Sequence, residues 1–307
     1  MDKQRLQSIV NRIYDLPTLP VVVNKLSEVV GDPKSCANDI AKIIATDQAL
    51  TSKILKIANS AFYGLRNPIA NISLAVVILG YKSIKSLALG VSVFDMFEEN
   101  EEATGFSMVD YWKHSLAVGL CARIISKKTK IGIAEEQFVC GLLHDIGEML
   151  FYKYAEDDFH KAITLLEKDR NLTIEAAEKK IFAFDHTDIG EWLAEKWRLP
   201  ILTKKAIKEH HDFSQILKID NASLKSEVAM IYFSDIFCKQ LGYRYGGEKK
   251  IGDIPDELYQ LLRISKDDNE VLTENLAEEM EKSESYLQLK GSKKEETEVK
   301  EKAAQAK

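Results

Sequence analysis

Thiol chemistry has little to work with in this sequence. Its 307 residues contain four cysteines, Cys36, Cys121, Cys140 and Cys238. No two are spaced as C-x-x-C, so neither a zinc ribbon nor a redox dithiol is encoded. Isolated cysteines in apolar helical surroundings are read as core fillers. Long apolar runs are missing as well. Nothing approaches the roughly 20 residues needed to cross a bilayer, and the opening MDKQRLQSIVNRIYDL is too polar for a secretory signal. A cytoplasmic protein with no membrane partner is expected. The 15 glycines are scattered; no G-x-x-x-x-G-K-[ST], G-x-G-x-x-G or G-x-S-x-G occurs, which removes P-loop and Rossmann nucleotide binding and the serine-hydrolase elbow. Positive charge is in deficit, with a formal net charge of -6. Phosphate backbones need a basic face, so nucleic acid is not an expected partner.

Strand signals are equally scarce. Alternation and hairpin dipeptides are nearly absent, while apolar residues recur at three and four along most segments. The fold class is therefore all-α. In the first third, LPTLP (Leu16 to Pro20) brackets a turn before a helix over Val21 to Val30, which Gly31-Asp32-Pro33 ends. Asp47 stands at an N-cap ahead of Leu50, Ile54, Leu55 and Ala58. Asn71 caps the next helix, whose Leu74, Val77 and Ile78 are expected to face inward, and Gly80 supplies a left-handed stop. Ile84, Leu87, Ala88 and Val91 mark another helix. EENEEATG (Glu98 to Gly105) reads as a surface connection. The expected organisation is a helical first part over 1–100, a helical metal-binding part over 101–265, and an acidic helix with a disordered tail over 266–307. Leu272, Leu276 and Met280 line that last helix; the tail has almost nothing to bury.

Against these absences stands one concentration. His114, His144, His186, His210 and His211, five of the six histidines, combine with Asp145 and Asp235 on segments that read as helices. His114 shares a face with Tyr111, Ala117, Val118 and Cys121; His144 and Asp145 follow Phe138, Val139, Leu142 and Leu143; His186 lies four after Phe182; Asp235 lies four after Ile231. Burying such groups without partners costs several kcal/mol. One alone reads as a satisfied core residue, and seven together read as metal ligands. The adjacent pairs point about 100° apart on a helix and favour a dinuclear centre. Imidazole and carboxylate without thiolate suit two divalent ions of iron, manganese, nickel or cobalt. His160 reads as a surface residue, and Asp185 and Asp188 as helix caps. Asp212 is either an outer partner orienting a histidine or a solvated loop acid. Lys113, Arg123, Lys127 and Lys128 form a solvated helix face or, less simply, a phosphate-binding edge.

The order His114, His144-Asp145, Asp235 resembles the H...HD...D pattern of the HD-domain metal-dependent phosphohydrolases, and His186 with His210-His211 resembles the added ligands of the HD-GYP branch. The LPTLP segment, DQALTSKILKIANSAFYG (Asp47 to Gly64) and AVVILG (Ala75 to Gly80) are similar to the HDOD domain, the HD-related output domain of bacterial signalling proteins. This likeness runs from about Leu16 to His211. It implies a multi-helical HD-like bundle with an N-terminal HDOD layer. Carried over residue by residue, it implies that Asp145 bridges two metals, with His114, His144 and Asp235 completing one site and His186, His210 and His211 the other. The HDOD likeness implies a regulatory role with a protein partner, and HDOD domains are usually described as having lost the metal residues that this chain keeps. The HD likeness implies hydrolysis of a nucleotide or cyclic dinucleotide, with Asp145 catalytic. Two departures weigh against hydrolysis. The HD-GYP lysine of HDIGK is here Glu148, whose carboxylate is expected to repel phosphate, and no GYP loop follows the second histidine pair.

Overall fold

The computed structural model describes residues 19–31, 36–60, 63–97 and 106–283. The expectations placed on Leu16 to Thr18, Asp32-Pro33, Ala61-Phe62, the 98–105 connection and the tail beyond 283 lie outside the described residues. Within them the chain is all-α, with sixteen helices and no strand.

The first layer holds α1 (Val21–Gly31), α2 (Ala37–Ala45), α3 (Gln48–Ala58), α4 (Ile72–Leu79) and α5 (Tyr81–Met96). Local chemistry sets the boundaries. The Asp47 carboxylate accepts from Leu50 N at 3.0 Å and the Asn71 side chain from Leu74 N at 2.9 Å, each satisfying an amide that the helix itself leaves open. Gly80, at φ 84, ends α4 and starts α5 at a bend of 118°. The expected inward face of α4 is corrected. Ile72, Ala75 and Val76 are buried, while Leu74, Val77 and Ile78 are 38%, 71% and 48% exposed. The octapeptide ISLAVVIL is apolar all round, so its periodicity does not select a face, and packing on α2 and α5 does.

The second layer comprises α6 (Met108–Thr129), α7 (Ala134–Leu143), α8 (Ile146–Tyr154), α9 (Glu156–Lys168), α10 (Ile174–Phe182), α11 (His186–Lys196), α12 (Ile201–Glu209), α13 (Phe213–Leu217), α14 (Ala222–Gln240), α15 (Asp256–Leu262) and α16 (Asp268–Lys282). One apolar core runs through both layers, and α5 packs on α7 where they meet. Helix α16 buries Leu272 and Leu276 against α6. No single described helix is long and apolar enough to cross a membrane, and the bent α4–α5 pair that passes by composition carries α5 in the core.

Two glycine contacts place the site. A Cβ on Gly141 of α7 would lie 2.5 Å from Gly119 Cα of α6, so these helices cross at backbone contact, bringing the end of α7 against the middle of α6. A Cβ on Gly147 of α8 would lie 1.9 Å from the His186 carbonyl oxygen, and Gly190 of α11 sits over the same crossing. Both glycines occupy the fourth or fifth place of related strings, HDIGE and HTDIGE.

Candidate metal centre

Six helices converge. His114 comes from the middle of α6 and Asp235 from α14, while the others stand at helix ends: His144 closes α7, Asp145 precedes α8, His186 opens α11, and His210-His211 follow α12. The two adjacent pairs are thus not consecutive positions within a helix. Each sits at a break, where the change of chain direction aims neighbouring side chains into one centre. All seven sequence-proposed residues are brought together here. Six are at most 1% exposed, and the His211 side chain is 16% exposed.

The groups fall into two sets that share Asp145. On one side His144 Nε2 lies 2.9 Å and His114 Nε2 3.4 Å from Asp145 Oδ2. Asp235 Oδ1 is 3.1 Å from His114 Nε2 and 3.6 Å from His144 Nε2. On the other side His210 Nε2 lies 2.9 Å and His186 Nε2 3.5 Å from Asp145 Oδ1, with His211 Nε2 3.1 Å from His186 Nε2.

The outer nitrogens decide what the inner ones offer. His114 Nδ1 donates to the Tyr243 carbonyl at 2.9 Å, His144 Nδ1 to the Gly141 carbonyl at 2.6 Å, and His210 Nδ1 to the Ile207 carbonyl at 2.8 Å. A carbonyl only accepts, so the hydrogen sits on Nδ1 and the Nε2 lone pairs point at one another and at carboxylate oxygens. His186 Nδ1 donates to Glu178 Oε2 at 2.7 Å, and its backbone N–H to the same oxygen at 2.9 Å. Such outer partners orient metal-binding histidines.

Lone pairs facing lone pairs repel unless a cation stands between them. Asp235 Oδ1 is buried without a hydrogen-bond partner, and the protonation balance shows the same need for positive charge. Burial works against the imidazolium of His144, but the Asp145 and Asp235 carboxylates outweigh it and raise its pKa to about 9. His186 rises likewise, burial being overcome by Glu178, Glu148 and Asp145. Burial holds His210 and His211 down, so these two stay neutral donors. For Asp145, burial opposes ionisation and the surrounding histidines overcome it, leaving the carboxylate well below its usual range. The donor set fits divalent metal.

Several residues at this centre were not legible in advance. The Tyr245 hydroxyl donates to Asp145 Oδ2 at 2.5 Å; burial above all, then the Asp145 charge, pushes that phenol up and keeps it a donor. Lys239 Nζ lies 3.1 Å from Asp235 Oδ2 and 3.3 Å from Glu248 Oε2. Glu178 stands on the inward stripe of α10 with Ile174 and Phe182, the same signal that selected the histidines. Lys239, four after Asp235, was findable by helical spacing. Tyr245 was not, because LGYRYGG carries no period.

Other expectations sort plainly. Glu148 does not face outward to repel phosphate. It is 1% exposed behind His186, with Oε1 3.8 Å from His186 Nδ1, and burial followed by the nearby carboxylates raises it well above the carboxylate range. Asp185 caps α11 in a capping box with Asp188. Asp212 is an exposed cap of α13, accepting from Gln215 N and Ser214 Oγ, and does not orient a histidine. Arg123 is corrected: it is buried and ion-paired with Glu135 at 3.0 Å and Glu279 at 3.4 Å, and Lys128 pairs with Asp268. They tie α16 and α7 to α6, while Lys113, Lys127 and Lys128 are exposed, as expected of a solvated helix face. His160 is exposed. Cys121, Cys140 and Cys238 are buried fillers, whereas Cys36 is exposed and caps α2, because its sulfur and amide both meet Asp39 Oδ2.

Comparison with known proteins follows the same lines. The HDOD domain family model matches residues 16–213. A crystal structure of an HDOD domain protein of unknown function from Geobacter sulfurreducens superposes with a TM-score of 0.75 at 25% identity, over 92% of this chain and 98% of that one. A protein from Shewanella amazonensis SB2B, provisionally named a phosphohydrolase, gives 0.66 at 23% identity over 91% and 97%. One from Marinobacter aquaeolei VT8, provisionally named a signal transduction protein, gives 0.72 at 18% over 94% and 65%. These last two share the fold. Among curated proteins, an uncharacterized protein of Treponema pallidum (strain Nichols) is 25% identical over 261 residues, 85% of this chain and 48% of that protein, so the chain spans about half the length of the relative it matches.

Proposed function

The chain belongs to the HDOD domain family, and from that premise we propose that it is a bacterial signalling regulator carrying a dinuclear divalent-metal centre and acting on a protein partner. The observation that carries this reading is the wiring of Asp145. Each of its two oxygens faces a separate set of imidazole nitrogens, and three of those rings have committed their other nitrogen to a backbone carbonyl. His114, His144 and Asp235 complete the first position, and His186, His210 and His211 the second. Iron, manganese, cobalt or nickel suits such nitrogen and oxygen donors. When bound, the pair supplies concentrated positive charge and Lewis acidity at the shared carboxylate.

Enclosure favours regulation over turnover. Structural metal sites are closed and catalytic ones keep an open position, and here every ligand but His211 is at most 1% exposed. The chain's own groups hold the centre rigid: Tyr245 and Lys239 brace the carboxylates, and Glu178 locks His186. The cationic group that HD-GYP proteins place at position 148 is replaced by a buried glutamate.

A second reading, metal-dependent phosphohydrolysis, draws on one observation. At the edge where the His211 and Lys239 side chains stay 16% and 11% exposed, the centre comes near the surface, a side from which a phosphate-containing ligand would reach it. The test is to purify the protein under low oxygen, measure metal per chain, and assay bis(p-nitrophenyl) phosphate and cyclic dinucleotides, with Asp145→Ala as control. Two ions per chain without turnover is the expected result. Lack of stoichiometric metal removes the centre, and turnover that Asp145→Ala abolishes replaces regulation with hydrolysis.

A further inference from the structure

Away from the histidine centre, a cleft opens where the two helical layers meet. Its walls are Lys82, Lys85, Ser86 and Leu89 of α5, Glu136 and Val139 of α7, and the Leu199–Thr203 entry to α12, and its volume is about 110 Å³. Leu89, Val139, Leu199, Pro200 and Leu202 make most of the lining apolar. The polar groups gather on the α5 side.

Three observations give the cleft a charge preference. Lys82 is already paired with Glu136 at 3.2 Å, both half-exposed, which cancels those two charges. Lys85 has neither a hydrogen bond nor an ion pair among the described residues. It is partly buried, and burial, the largest influence, lowers its pKa. Ser86 is 8% exposed and lines the cleft one residue from Lys85. A half-buried ammonium without an ion-pair partner is unfavourable until something pairs with it, and the Ser86 hydroxyl is placed to share that partner. Beside them α12 begins at Pro200 with no side-chain cap, adding the partial positive charge of uncapped amides.

We propose that this cleft binds a small organic monoanion, a carboxylate with a short branched apolar body, its carboxylate on Lys85 and Ser86 and its alkyl part against Leu89, Val139 and Leu202. Two lysines against the one Glu136 carboxylate leave a single net positive charge, which sets the ligand's charge at minus one and disfavours a phosphate dianion. A cavity of 150 Å³ holds the six carbons of benzene, so about 110 Å³ accommodates an alkyl part of roughly four carbons, with the carboxylate at the polar α5 side. The ligand would bridge the layers and touch α7 and α12, the helices whose far ends present His144 and His210. That places a ligand-responsive wedge on the elements that position the metal centre.

The experiment titrates isovalerate into the full chain by saturation-transfer NMR, with isovaleramide as the neutral isostere and inorganic phosphate as competitor. Lys85→Met is the variant, because removing an ammonium without partners leaves the fold intact, as circular dichroism would verify. Saturable isovalerate binding, weakened tenfold or more in Lys85→Met, is expected; a hydrogen bond to a charged group is worth roughly that factor or more. Isovaleramide binding as well as isovalerate, phosphate displacing it, unchanged binding in Lys85→Met, or no saturable isovalerate binding to the wild type would each overturn the proposal. These readouts do not depend on metal content, so their failure is separable from that of the metal centre.

Discussion

Tyr245 donates its hydroxyl to the one carboxylate that both halves of the histidine cluster share. It polarises Asp145 and restricts its rotation, the kind of outer contact whose loss costs about 10- to 100-fold in metal affinity. Tyr245→Phe is therefore expected to weaken metal retention about tenfold, measured by competition with a chromophoric chelator, with no loss of helicity. An unchanged affinity would show that the hydroxyl only fills space. The seven candidate ligands were readable only as a set, because one histidine or aspartate among apolar neighbours reads as a satisfied core residue and seven together do not. Tyr245 and the Tyr243 carbonyl were not readable, since they arrive from a loop 100 and 129 residues away from the groups they touch.

Among helices, the centre depends on close crossings. Gly147 and Gly190 lie on the same α8–α11 contact yet meet different obstacles: a Cβ at 147 would strike the His186 backbone oxygen at 1.9 Å, and one at 190 the Ile207 Cγ2 methyl at 2.6 Å. Backbone cannot yield, whereas a side-chain methyl can shift. Gly147→Ala is expected to cost about 3 kcal/mol or more and Gly190→Ala about 1 kcal/mol, read from urea unfolding. The reverse order would mean that α8 slides freely on α11. At this scale periodicity identified the helices but not always their faces. The α4 octapeptide is uniformly apolar, so only its packing partners put Ala75 and Val76 inside and Val77 outside.

For the molecule as a whole, buried carboxylates tie stability to pH. Asp185 is held well below its ordinary 3.8: burial opposes ionisation, but the His186 charge, the Lys179 ammonium at 2.6 Å and the Thr187 hydroxyl prevail. Asp145 and Asp235 lie on the same side. A folded-state pKa below the unfolded value means that the unfolded chain binds more protons. The stabilisation is then complete above about pH 5, a unit over the unfolded value, and is lost progressively as pH falls from there. With metal stripped by chelator, the urea midpoint should decline from about pH 5 to pH 3, and less steeply in Asp185→Asn. A midpoint flat over that range would contradict the carboxylate network.

The sequence by itself determined the all-α class, the caps at Asp47, Asn71 and Asp185, and the set of histidines and aspartates too polar for the faces they occupy, because each of these is a local conflict or agreement between a side chain and its near neighbours. Only the tertiary structure decided that Glu148 turns inward behind His186, that Arg123 is a buried tie to α16, that Tyr245 braces Asp145, and that Lys85 is left facing a cleft. Those outcomes depend on which distant helix arrives opposite a given face and at what distance, and no pattern of near neighbours encodes that.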